Sequence, residues 1–163
     1  MKAGQKGEKE NFQQESYLSE AKDWKLTADL DRGLRIPTQV CITNLRPDII
    51  FVSNKSKQMG IVELTVPCEE RIEISGEIKR LKYEQIVNEG RQNGWKVRCW
   101  SVEVGCRGFP AVSMSSFLRD IGYPGDERKK IVERIGKTAE DASRSIWKAS
   151  HYEEWGQGKL KKH

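Results

Sequence analysis

RPDIIFVSNKSKQMGIVELTVP, residues 46–67, is the stretch whose reading decides the fold. Asp48 opens the apolar run Ile49-Ile50-Phe51-Val52. A polar break follows from Ser53 to Gln58, and a second β-rich run extends from Gly60 to Val66. Two such runs separated by a short polar break predict a β-hairpin. With the turn centred between Lys55 and Ser56, the pairing sets Asp48 opposite Glu63. Directly opposed residues project from one face with Cβ atoms about 4.5–5.5 Å apart. Two carboxylates that close repel unless a cation lies between them. Their oxygens suit magnesium, which proteins usually hold through one or two carboxylates plus substrate phosphates. A slip of one residue would send one acid to the other face, so the metal reading depends on the turn.

The next segment, Glu70 to about Gly90, has the period of a helix. Glu73, Glu77, Arg80, Glu84, Asn88 and Arg91 share a solvated side, while Ile72, Ile74, Ile78, Leu81, Tyr83, Ile86 and Val87 fill the remaining arc. Lys79, Lys82 and Gln85 fall inside that apolar arc. A lysine there must either snorkel or meet a negative charge. The hairpin carboxylates or a bound phosphate would meet it; so would an ordinary role in which lysine stems cover the edge of a core.

The chain has 163 residues, enough for one domain with a single core. A disordered leader is expected over 1–15, a single α/β domain over 16–150 and a flexible basic tail over 151–163. Trp24 to Leu30 reads as a strand with Trp24, Leu26, Ala28 and Leu30 on one face, and Gln39 to Leu45 as a second weak strand. Asn93-Gly94 stops the helix, and Trp95 to Val104 is a strand expected to run parallel to the one before the helix. The loop Gly105 to Pro110 reads as a simple turn rather than a phosphate cradle. A short helix follows over Ser113 to Ile121. Asp126 is expected to cap a long helix to about Ser150, with Ile131, Ile135, Thr138, Ala142, Ile146 and Ala149 along one face. Arg128, Lys129, Lys130, Arg134 and Lys137 crowd the first half of that helix.

Several function classes drop out. No run approaches the roughly 18 apolar residues of a membrane span, and Met1-Lys2-Ala3-Gly4 leads into charged residues rather than an apolar signal core. Cys41, Cys68, Cys99 and Cys106 include no C-x-x-C pair and have only His151 and His163 for company, a poor zinc set; they read as reduced thiols of an intracellular protein. There is no internal repeat, no Walker loop, no G-x-S-x-G and no H-E-x-x-H. No small-molecule cofactor is indicated. A net charge of +5 and a pI near 9.0 favour an anionic partner such as nucleic acid.

Pro47-Asp48, then Glu63-x-Thr65 on a strand, then a helix carrying Lys79, Lys82 and Tyr83, resembles the PD-(D/E)XK nuclease superfamily. More closely, the chain resembles the restriction-like endonuclease domain of non-LTR retrotransposon polyproteins. Asp23-Trp24 with Asp29, Thr43-x-Leu45-Arg46-Pro47-Asp48, Glu63-Leu64-Thr65-Val66-Pro67, Lys82-Tyr83, and Val102-Glu103-Val104-Gly105-Cys106-Arg107-Gly108-Phe109 carry this likeness over about Leu18 to Trp155. The superfamily usually places lysine two residues after the strand acid, where this chain has Thr65. The retrotransposon enzymes take lysine from the following helix, a position that maps onto Lys79 or Lys82, with Lys82 slightly favoured.

The resemblance implies a restriction-endonuclease-like core, a mixed sheet flanked by helices, and magnesium-dependent hydrolysis of DNA, with manganese able to substitute. Asp48, Glu63 and the backbone carbonyl near Leu64 would hold the metal. Lys82 or Lys79 would stabilise negative charge, and Tyr83, Arg46 and Arg107 would contact phosphate. Asp29 or Asp31, Thr65, Gln85 and Glu103 stand as accessory candidates, with turn or structural roles weighed for Asp29, Asp31 and Glu103. A nuclear location and a larger polyprotein containing a reverse transcriptase follow from the same resemblance. Two other readings compete: a DNA-binding module on this fold that no longer cuts, and a protein-interaction domain using the Ile131-to-Ala149 stripe.

Overall fold

The computed structural model describes residues 15–151, so the leader and the tail lie outside the described residues apart from Glu15 and His151. The hairpin forms as the sequence indicates. Strand β2 (Ile49–Ser53) pairs antiparallel with β3 (Gln58–Thr65), Ile49 opposite Val62 and Ser53 opposite Gln58. The turn between them is centred between Lys55 and Ser56, and Lys57 takes a positive φ of 50° to close it. Continued by one residue, this register sets Asp48 opposite Glu63.

An edge strand, β1 (Lys25–Ala28), pairs antiparallel with β2. A 3-10 turn at Glu69–Arg71 leads into helix α1 (Ile72–Gln92), which crosses to β4 (Lys96–Glu103). β4 runs parallel to β3, with Glu63 beside Ser101 and Thr65 beside Glu103. The result is a four-stranded mixed sheet in the order β1-β2-β3-β4. Helices α2 (Val112–Asp120) and α3 (Gly125–His151) complete the described chain.

Strand alternation divides the sheet into two faces. Ile50, Val52, Met59, Ile61 and Val97 point to one side and pack with Tyr83 and Ile86 of α1 and with Leu34, Ile36, Val40 and Trp95. Phe51, Val62, Trp100 and Val102 point to the other and pack with Tyr17, with Met114 and Leu118 of α2, and with Ala139 of α3. Gly60 is required on this second face, because a Cβ there would lie 1.9 Å from Cε2 of the Phe51 ring. Glu63 and Thr65 share the parity of Met59 and Ile61, which aims them at α1.

Several expectations are corrected. β1 is short and lies at the sheet edge, so Leu26 (67% exposed) and Leu30 (86%) are not on a buried face. Gln39 to Leu45 forms no strand; it is a loop that buries Val40 and Cys41, with the Val40 carbonyl accepting from Asn93 Nδ2 at 2.8 Å. Only part of the apolar arc of α1 is covered. Tyr83, Ile86 and Gly90 are buried, whereas Ile74, Ile78 and Leu81 face out because the sheet is too narrow to cover the whole arc.

α3 begins at Gly125, so Asp126 lies in its first turn instead of capping it. Its buried seam runs through Ile131, Val132, Ile135, Gly136 and Ala139. Thr138 points away from this seam, and Ala142 and Ile146 lie beyond its last buried residue, so all three are exposed. All four cysteines are free.

α3 crosses the Gly105-to-Phe109 loop at Gly136, where an added Cβ would sit 2.4 Å from the Gly108 carbonyl oxygen. Glycine to alanine inside a helix ordinarily stabilises by roughly 1 kcal/mol. Here the sign should reverse: Gly136→Ala should lower the urea midpoint. Ile61→Ala, at a fully buried position, should cost about 2–5 kcal/mol in the same measurement.

Candidate active site

The site stands on the α1 side of the sheet, where Asp48 at the start of β2 meets Glu63 near the end of β3. Pro47 is buried and locks the bend that delivers Asp48, and the Asp48 carbonyl accepts from the Asp29 amide at 2.8 Å. Asp48 Oδ2 accepts from the Leu64 amide at 2.7 Å, which ties the carboxylate to the opposite strand. Leu64 therefore meets Asp48 through its N–H; its own side chain is exposed on the other face.

Glu63 is 2% exposed and is met from α1 by three donors. Lys79 Nζ donates to its Oε2 at 2.6 Å, and the Tyr83 hydroxyl donates to its Oε1. Lys82 Nζ stands 3.7 Å from Oε1 and 4.9 Å from the centre of the Tyr83 ring. Lys79, Lys82 and Tyr83 all reach one carboxylate because residues three and four apart stack along one helix face.

Asp48 is half-buried and its carboxyl is held above the usual range, chiefly by burial. The neighbouring Glu63 carboxylate pushes it further the same way, against the Leu64 hydrogen bond and the charge of Lys79. The strand register sets the two carboxyls on one face of the sheet. Burial and the Glu63 carboxylate likewise push the Tyr83 hydroxyl far above its ordinary value, so it stays a proton donor.

Hard oxygens from two converging carboxylates fit magnesium. Magnesium is usually held by one or two carboxylates together with substrate oxygens, and among the described residues no group of three or more His, Cys, Asp or Glu stands together. Asp48 and Glu63 would hold it, with a backbone carbonyl near Leu64 as a further donor.

The other sequence candidates divide. Thr65 lies on the same face, and its Oγ1 is buried without a partner. Glu103, 4% exposed beside Thr65, accepts from the hydroxyls of Ser101 and of Ser113, the latter at 2.6 Å, which is the structural use weighed for it. Asp29 accepts from the Leu34 amide at 2.9 Å and shapes the turn in which Asp31 is exposed. Tyr83 is wholly buried, so its place is behind Glu63 and not on a phosphate. Gln85 is exposed and donates to Glu89 one turn further along α1 at 2.6 Å, so it does not join Lys79 and Lys82 at Glu63. Arg46 donates to the Arg32 carbonyl at 2.5 Å. Arg107 is held at the Glu69 carboxylate, on the loop under α3 and away from Glu63.

The residues that sequence reasoning missed are Gly76, Ser101 and Ser113. A Cβ at Gly76 would lie 2.9 Å from Glu103 Oε1, so glycine lets α1 settle on that acid. A glycine inside a helix was the available signal. Ser101 needed the β3–β4 register, which no local pattern carries. Beside Glu103 opens a cleft of about 750 Å³ bearing Glu69, Glu70, Glu73 and Glu77, a surface that repels phosphate.

No family model matches the chain, and no curated protein matches it. No helix among the described residues is long and apolar enough to cross a membrane.

Because the folded protein raises the Asp48 pKa, the stability this group contributes is present in acid and lost as pH rises through the raised value. Asp48→Asn keeps an acceptor for the Leu64 amide and removes the like charge. In divalent-free buffer it should melt above wild type at pH 7, and the difference should close toward pH 4.

Proposed function

We propose that this chain is a magnesium-dependent DNA endonuclease built on a restriction-endonuclease-like core, and that it derives from the nicking domain of a retrotransposon protein. The observation that carries this is the convergence of Asp48 and Glu63 across the hairpin with Lys79 and Lys82 leaning over them from α1. A scaffold has little use for two acids aimed at one point. A phosphodiesterase needs that arrangement, since a cation there polarises the phosphate and lowers the pKa of a bound water.

Each residue then has a part. Tyr83 fixes one oxygen of Glu63, and the Leu64 amide fixes one oxygen of Asp48, so the acids are oriented before substrate arrives. Lys82 keeps 36% of its side chain exposed and is the amine best able to meet a phosphate from outside. Its charge would stabilise the negative charge that develops as the phosphodiester is attacked. The acidic cleft beside Glu103 lies about one turn of α1 before Lys79 and steers the DNA backbone to the other side, toward Lys82. The partner would be DNA, and a nuclear site of action and a larger polyprotein with a reverse transcriptase belong to the same proposal.

Purified protein should nick supercoiled plasmid with magnesium or manganese. Asp48→Ala and Glu63→Ala should each abolish nicking, and Lys82→Ala should lower kcat by about 10²–10³. Wild-type-like nicking by both acid variants would remove the reading. The second reading, a DNA-binding module that no longer cuts, is favoured by Thr65 standing where lysine is usual. It predicts duplex binding that weakens steeply with salt, with no cleavage under any divalent cation.

A further inference from the structure

Lys79 and Lys82 are treated differently by the fold. Lys79 makes a 2.6 Å ion pair with Glu63 Oε2 and keeps 28% of its side chain exposed, whereas Lys82 stands 3.7 Å from Oε1. The Lys79 ammonium therefore sits at Oε2, the Glu63 oxygen that Tyr83 leaves free for a cation. Gly76 and Tyr83, one turn to either side of it, both lie against the sheet, which holds this face of α1 close. Lys79 itself is only half-buried and ends a flexible four-carbon stem, so it is the donor on Glu63 that can leave without moving the helix.

We propose that Lys79 is a resident counter-ion, occupying the cation position of the Asp48–Glu63 pair and giving it up when a divalent metal binds. The inference rests on the proposed metal-dependent reading and assigns the two lysines separate tasks. Lys82 faces substrate; Lys79 keeps the acids assembled without metal. The physical ground is charge. Two acids converging in a half-buried site repel, and a carboxylate as buried as Glu63 is costly without a cation beside it. Ammonium and metal both satisfy that need, and Glu63 Oε2 cannot hold both at hydrogen-bonding and coordination distance. Metal affinity is thus set by competition with the protein's own amine. Lys79 is a positioning residue in this role.

The test uses the full chain and Mn²⁺ alone, titrated by electron paramagnetic resonance, with wild type, Lys79→Met and the exposed control Arg80→Met. Lys79→Met should bind Mn²⁺ at least tenfold tighter than wild type. It should melt lower without metal and recover most of that loss when Mn²⁺ is added; Arg80→Met should change neither. A merely structural lysine would give the lower melting temperature without the tighter binding or the recovery. In wild type, acetylation of Lys79 by acetic anhydride, followed by mass spectrometry, should be several-fold faster with Mn²⁺ present. That measurement decides the matter if Lys79→Met does not fold.

Wild-type Mn²⁺ binding with equal or weaker binding by Lys79→Met would overturn the exchange and leave the metal site standing. Unchanged or slower acetylation on adding Mn²⁺ would likewise overturn it. Absence of Mn²⁺ binding by both proteins would overturn the exchange and the metal-dependent reading together.

Discussion

One buried charge organises this molecule. Glu63 sits near the end of β3 on the sheet's α1 face with almost no access to water, and an unpaired carboxylate there would be prohibitively costly. Its neighbours on the strand, Met59 and Ile61, are ordinary core residues, so the sheet must approach α1 at this position. The helix answers with Lys79 and Tyr83, and the way α1 lies on β3 and β4 follows from meeting that requirement. Breaking a buried pair by removing one partner costs about 3–5 kcal/mol in general. The value here belongs at the lower end, because Lys79 retains partial contact with solvent.

The rest of the α1 face is arranged around the same constraint. Gly76 removes a side chain where the helix passes Glu103, which lets a second buried acid be satisfied by serine hydroxyls alone. Glu63 and Glu103 lie on the same face of adjacent strands, yet one is compensated by cations and the other by neutral donors. That difference follows from the elements that reach them: Lys79 and Lys82 from α1 at Glu63, Ser101 from β4 and Ser113 from α2 at Glu103. The opposite face carries no comparable polar demand. It is closed by aromatic packing among Tyr17, Phe51 and Trp100, with centroids 5.1–6.3 Å apart, and by α2 and α3.

Thr65 deserves comparison with its surroundings. It stands two residues after Glu63 on the same face, and its hydroxyl finds no partner. A lysine here would compete with Lys79 for the same carboxylate from the strand side. Supplying the amine from α1 leaves Thr65 as a small residue under the helix and moves the charge to an element with a flexible reach. The basic first half of α3 takes no part in this site.

Local pattern determined the hairpin, its turn between Lys55 and Ser56, and with them the pairing of Asp48 with Glu63, because strand alternation and turn length leave one register that buries the apolar set. It also set Lys79, Lys82 and Gln85 inside the apolar arc of α1, with a snorkelling role and a negative partner both open to the lysines. Only the tertiary structure decided which lysine takes Glu63, that Tyr83 stands behind the acid, that Gln85 turns away, and that Arg107 is committed to Glu69. Those outcomes depend on how far the sheet extends under each helix and on the β3–β4 register. Such long-range distances have no counterpart in the spacing of residues along a chain. The exposure of Ile74, Ile78 and Leu81 has the same origin: periodicity specifies an apolar arc, and the width of the neighbouring sheet decides how much of it is covered.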